Sequence, residues 1–258
     1  MNPVLSSALR PLFALLLLLS TSALAETCEE LVAKGDIYYD KLQPAEALKY
    51  YLPAEKLDPK NVSLLVKIAR QYRHLLSEAK SDTEKLRYGK TATDYADRAV
   101  ALAPEDPEAQ LAVAISYGKV LPYESSRGQV NGSRTVKAAA EKVVRLDPKN
   151  DLGWHVLGRW HLVVSEVGGM KKTLGALVYG KLPPASLQEA ERCFQKAIAR
   201  NPNRLMHYIE LGRTYADMGR AEDAKKYINK GLAMKNTEKD DPETKEKGRE
   251  VLAKLGKS

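Results

Sequence analysis

Trp154-His155-Val156-Leu157-Gly158-Arg159-Trp160-His161 decides how the rest of the chain reads. On a helix, positions i, i+3, i+4 and i+7 share one face. Trp154, Leu157, Gly158 and His161 hold those positions. The tryptophan and leucine supply bulk, and the glycine leaves a notch where a partner helix can come close. Downstream, Ala190, Phe194 and Ala197 give a second helix a small-large-small face, closed by Asn201-Pro202. A large residue opposite a small one sets how two helices cross. Pro202 stops the second helix.

The same frame recurs along the chain. Leu31, Gly35 and Tyr38 pair with Ala47, Tyr51 and Ala54; Leu65, Ile68, Ala69 and Tyr72 pair with Ala92, Ala96 and Ala99. Val113, Ala114 and Tyr117 pair with Ala140 and Val143, and Tyr208, Leu211, Gly212 and Tyr215 pair with Ala224 and Ile228. Leu57-Asp58-Pro59, Leu102-Ala103-Pro104, Leu146-Asp147-Pro148 and Arg200-Asn201-Pro202 close successive units. The pattern resembles the tetratricopeptide repeat, whose first helix opens W-x2-L-G-x2-Y, with His161 in the tyrosine slot. The closers stand about 45 to 55 residues apart, longer than the roughly 34-residue repeat. The expected fold is all-α: a right-handed helical solenoid of about five helix pairs with a C-terminal capping helix. The expected units are 26–60, 61–106 with extended helices, 107–149 with a loop insertion, 150–203 with an amphipathic-helix insertion, and 204–236. Residues 237–258 make a polar linker and the capping helix, the solubilising end that a solenoid requires.

Residues 1–25 read as a secretory signal peptide. Arg10 supplies the positive region, Leu12 to Leu19 the apolar run, and Ala23-Leu24-Ala25 the small-x-small cleavage site. The apolar run is shorter than the ~20 residues that span a bilayer, and the mature chain is expected to carry no transmembrane segment. The expected location is therefore periplasmic or secreted, the alternative being a retained N-terminal anchor.

Three internal features stand outside the repeat frame. The first helix of the second unit extends to Ala79, and Ser81 to Glu84 reads as a capping box. Leu121 to Ser133 is rich in Pro, Gly, Asn and Ser and reads as a loop. Gly168-Gly169 is expected to break a helix, after which Met170, Leu174, Leu177 and Val178 fall on one face of a short amphipathic helix ended by Pro183-Pro184. Ser186 to Glu189 reads as a further capping box.

The formal net charge is +8, which permits nucleic acid, anionic lipid or acidic peptide as partners. Lys and Glu are evenly interspersed, so simple solubility accounts for much of it, and no nucleic-acid partner is expected. Thirteen Tyr against two Phe suits repeat helices whose rings lie half-buried with a wet hydroxyl. Cys28 and Cys193 fall in units that do not touch in a solenoid, so no disulfide between them is expected. No metal-ligand spacing is present.

Tyr117-Gly-Lys119, Tyr123-Glu124, Lys137 to Asn150, Leu157-Gly-Arg-Trp160 and Lys171-Lys172 through Leu177-Val-Tyr-Gly-Lys-Leu-Pro183-Pro184-Ala-Ser186 carry a more specific likeness. Over roughly Lys41 to the end, the chain resembles the regulator of microtubule dynamics family. The resemblance implies a helical repeat domain used for binding, in a family associated with microtubules and membranes, some members of which bind lipid. The leader-like N-terminus departs from that family and reads as an exported bacterial relative, for which the fold carries over and the partner does not.

No catalytic motif is present: no G-x-S-x-G, H-E-x-x-H or glycine-rich phosphate loop, and no cofactor is expected. The histidines His74, His155, His161 and His207 show no paired carboxylate; His161 is expected in the core and the others on the surface. First helices line the concave face of such arrays. Beside the signature they carry Tyr39, Arg70, Arg73, His74, Lys119, His155, Arg159 and Arg213. Such a row suits carboxylates or phosphates, which guanidinium groups hold through paired bonds. The expected function is a non-enzymatic scaffold of the cell envelope that takes an acidic peptide or protein in this groove. The alternative is binding of a phospholipid or anionic amphiphile in an apolar cavity beside the Met170–Val178 helix.

Overall fold

A computed structural model describes residues 26–170 and 184–256. All its regular structure is helical, and the caps explain where most helices start. Helix α1 (Cys28–Asp40) opens on a full capping box between Thr27 and Glu30, and α2 (Pro44–Leu57) starts on a proline at its first turn. Asn61 caps α3 (Val62–Glu78), Ser81 caps α4 (Asp82–Leu102) and Asp106 caps α5 (Pro107–Val120). Ser125 caps α6 (Ser126–Leu146), which is followed by α7 (Asp151–Met170). Ser186 caps α8 (Leu187–Arg200), and α9 (Leu205–Asp217), α10 (Ala221–Ala233) and α11 (Asp241–Leu255) complete the chain.

Four helix ends are one device repeated. Asp58, Ala103, Asp147 and Asn201 each follow a last helical residue and each have φ between −133° and −140° with ψ between 75° and 90°. Each precedes a proline, whose ring excludes the helical conformation from the residue before it. The carbonyl of the closing proline is then used again. Gln110, Trp154 and Tyr208 each donate to the proline carbonyl six residues upstream, at 2.8, 3.0 and 3.0 Å.

Two sequence expectations fail here. The stretch 121–133 is a 3-10 turn (Leu121–Tyr123) followed by the first two turns of α6. Ser125 caps that helix, and Val130, Gly132 and Ser133 are buried against its neighbours, so packing outweighs the poor helix propensity of the stretch. Gly168-Gly169 does not break α7, which runs on to Met170. The leader (1–25) and the insertion residues Leu174, Leu177 and Val178 lie outside the described residues.

Helices pack in successive pairs, α1 on α2 through α9 on α10, and α11 covers α9 and α10. Each second helix also packs on the next first helix, while α3, α5, α7 and α9 touch one another in turn. When one set of helices touches along an array, that set lies on the inside of the curve. The first helices therefore form the concave face.

The glycine notches are filled from the second helix. Gly35 faces the Tyr51 ring, a Cβ on Gly158 would come 2.9 Å from Phe194, and one on Gly212 would come 2.5 Å from Ile228. Tyr51, Phe194 and Ile228 are fully buried. At Gly212 the backbone N of Ile228 and O of Ala224 also lie at 2.9 and 3.0 Å, so the helices themselves would have to separate. Overpacking of this kind costs about 1–3 kcal/mol, against the roughly 1 kcal/mol that alanine gains over glycine within a helix. Gly212→Ala is therefore expected to lower the urea midpoint. Gly118→Ala, whose Cβ meets only Val136 at 4.0 Å, should leave it level or raise it. A Gly212→Ala protein as stable as Gly118→Ala would contradict the notch.

One tight turn is built twice. Gln43 donates to Tyr38 and Arg220 to Tyr215 across the α1–α2 and α9–α10 connections. Gly219 has φ +74° and Leu42 has φ +55° in those turns. Glycine adopts this region freely, whereas leucine is strained there.

Candidate binding groove

The expected groove row divides into buried members and members that reach a shared surface. Arg70 stacks on the Tyr39 ring, with 4.6 Å between its guanidinium carbon and the ring centre, and donates to the Tyr39 hydroxyl. Arg73 is buried and donates to Ser116 Oγ at 3.1 Å. Burial and the neighbouring Arg70 pull its pKa down to about 10. His74 is buried too, and its Nδ1 has no hydrogen-bond partner. Burial, then Arg70 and Arg73, hold its pKa at about 3, so it is neutral.

The groove is occupied by the chain's own link between α10 and α11. The Glu238 carboxylate lies between two guanidinium groups: Arg204 donates at 2.6 Å and Arg70 at 3.2 Å. Asp240 accepts from Lys119 at 2.5 Å and from Ser77 at 2.9 Å. Burial pushes the Asp240 carboxyl up, but Lys119 and the hydrogen bonds from Lys119 and Ser77 outweigh it and leave the group below its usual range. Lys239, between them, pairs with Glu78 at 2.5 Å and donates to the Leu42 carbonyl at 3.1 Å. The turn is held by Asp241, only 1% exposed, whose carboxylate accepts from the Thr237 and Glu238 amides at 2.7 and 2.8 Å.

A buried histidine relay joins this surface to the core. Asp151 lies 2.9 Å from both Arg204 Nε and His207 Nε2. His207 Nδ1 lies 3.0 Å from His155 Nδ1. Burial alone would raise the Asp151 pKa, but His207 and Arg204 bring it down, so it is ionised. A carboxylate only accepts, so His207 Nε2 donates to it, and His155 then donates to His207 Nδ1. Both imidazoles are held below their usual pKa, chiefly by burial. This corrects the surface placement expected for His74, His155 and His207, and Asp151 is a paired carboxylate the sequence did not reveal. His161 does sit in the core, edge-on to Trp160.

Arg159 and Arg213 belong to a second group. Both lie by Glu210, only 3% exposed, at 3.9 and 2.8 Å, and Arg213 also reaches Glu166 at 3.4 Å. The basic row is thus two networks, one around Glu238 and Asp240 and one around Glu210. Sequence reasoning missed Ser77, Asp151, Arg204, Glu210, Glu238 and Asp240. The one available signal was a polar link with two carboxylates in a chain whose groove row is basic.

Among the described residues, two clefts of about 280 and 300 Å³ lie at the α7–α9–α11 junction and beside the start of α6, both lined partly by charged or polar side chains. No group of three or more His, Cys, Asp or Glu among them is placed to hold a metal ion. No described helix is long and apolar enough to cross a membrane. Cys28 and Cys193 are free thiols, the latter buried with its pKa pushed up to about 11.

Stacked helix pairs with filled notches and a polar concave face define a tetratricopeptide-repeat solenoid. Solved structures agree on the fold. A thermophilic TPR protein of Thermus thermophilus superposes with a TM-score of 0.64 at 16% identity, over 88% of this chain and 100% of that one. MamA from Desulfovibrio magneticus gives 0.51 at 14% identity, over 81% and 96%. The chain belongs to the family of regulator of microtubule dynamics proteins 1-3, whose model matches residues 28–256. It is 25% identical to human regulator of microtubule dynamics protein 2 over 75% of this chain and 48% of that protein. It is also 25% identical to the mouse protein 1, over 88% and 74%. The chain thus spans about half the length of the first of these relatives.

Proposed function

We propose that this protein is a non-enzymatic scaffold of the cell envelope that holds an acidic peptide or protein segment in its basic concave groove. One observation carries the reading: the groove side chains already bind carboxylates, those of Glu238 and Asp240, through Arg70, Arg204, Lys119 and Ser77. Charge-assisted bonds of this kind contribute about 1.5–3 kcal/mol each. The envelope location rests on the leader-like Met1–Ala25 stretch.

The groove is free for a test once its internal carboxylates are neutralised, so the chain to use is Glu238→Gln/Asp240→Asn. A labelled peptide copying residues 235–244 should bind it, and binding should weaken as salt rises. Adding Arg70→Ala and Lys119→Ala should weaken it at least tenfold, since each removes a bond of roughly 1.5 kcal/mol or more. Equal affinity with and without Arg70 and Lys119 would remove the groove from the account. Binding only to vesicles containing phosphatidic acid, and to no peptide, would put the lipid reading in its place.

A further inference from the structure

The link between α10 and α11 is out of the ordinary for a capping segment. A cap needs only to cover the apolar end of the last pair, which α11 does on α9 and α10. The link instead turns back over the concave face and reaches three earlier units. Its side chains contact Leu42 of the first unit, Arg70, Ser77 and Glu78 of the second and Lys119 of the third. Its two carboxylates are two residues apart and enter two separate sites: a guanidinium pair for Glu238 and an ammonium-hydroxyl pair for Asp240. The sites are partly desolvated. Arg204 and Lys119 side chains are 19% and 25% exposed, and near Lys119 and Asp240 His74 keeps a buried, unpartnered Nδ1. Asp241, the first residue of α11, shapes the turn by accepting two of the link's amides, so the turn depends little on the groove for its form.

We propose that Thr237–Asp241 is an internal ligand that closes the groove, and that the true partner presents the same feature: a Glu-x-Asp turn at the start of a helix. This rests on the groove reading given above. The link is tethered at both ends, so it competes at an effective concentration in the millimolar range. An external segment takes the site only by matching both carboxylates or by adding contacts of its own. Opening the groove leaves the filled notches in place, because Tyr51, Phe194 and Ile228 all lie outside Thr237–Asp241.

The test compares the unaltered chain with Glu238→Gln/Asp240→Asn in binding the labelled 235–244 peptide. The opened chain is expected to bind at least tenfold more tightly. A peptide carrying Gln and Asn at the positions matching Glu238 and Asp240 should bind neither. Equal affinity of the peptide for both chains overturns the closure while leaving the groove reading intact. No binding to either chain overturns both. Hydrogen exchange on the unaltered chain guards against a variant that unfolds. Saturating peptide should speed exchange at residues 235–241 and slow it in α3 and α5; slower or unchanged exchange at 235–241 overturns the closure by itself.

Discussion

Taking the protein from pH 7 to pH 5 is expected to remove about 2 kcal/mol of folding stability through His74 alone. The imidazole has a pKa of about 3 in the fold, against about 6.5 in the unfolded chain. It is neutral when folded and charged when unfolded, so its contribution is present above pH 6.5 and is lost as the pH falls. His155 and His207 shift in the same direction, chiefly through burial. They add to the loss over the same window. Arg70, Arg73 and Lys119 surround His74, with Asp240 the opposing charge, and His155 meets His207, Arg159 and Arg204; at His207 burial, with Arg204, outweighs the facing Asp151 carboxylate. Asp97 and Glu166, pushed up by burial, oppose the loss only as the pH approaches the carboxylate range. Asp151 and Asp240, both held down, add a second loss that begins in the carboxylate range, where the unfolded groups take protons, and continues down through their lowered folded pKa. Urea midpoints at pH 7.5, 6 and 5 measure the effect. His74→Gln should flatten the slope by about one proton. A midpoint that holds steady down to pH 4 would mean that the histidines are not buried.

Replacing Phe194 by alanine is expected to destabilise the fold by about 3–5 kcal/mol, the usual range for a buried phenylalanine. The ring is fully buried. It fills the Gly158 notch and meets the His155 ring edge-on at 5.4 Å. It also belongs to the core shared by Leu162, Leu211 and Tyr215. Removing it opens a void between α7 and α8 and strips one wall from the histidine relay. Phe194→Leu should cost less, because it leaves part of the volume filled. The coupling with Gly158 is the sharper check. Gly158→Ala should be costly in the unaltered chain and nearly neutral beside Phe194→Ala, because the clash is with that ring. A double-mutant cycle by chemical denaturation measures this. Additive effects would mean that the ring does not occupy the notch.

The helix pairs, their order and their stops were legible in the sequence because each depends on residues a few positions apart. Trp154, Leu157, Gly158 and His161 share a face by helical geometry alone, and Pro59, Pro104, Pro148 and Pro202 restrict the residue before them whatever surrounds it. Local chemistry misled where packing outweighed it, at Leu121–Ser133 and at Gly168-Gly169, because buried contacts outweigh propensities of a few tenths of a kcal/mol per residue. The repeat frame put Tyr39, Arg70 and Lys119 on successive first helices, and in the structure Arg70 stacks on Tyr39 while Lys119 reaches Ser77. Their carboxylate partners were not legible. Glu238 lies 168 residues from Arg70, and no periodicity relates the two. Only the curvature of the stacked array brings the last link back over the second and third units. That same stacking, by removing water from His74, His155 and His207, turns three surface-looking imidazoles into neutral core groups.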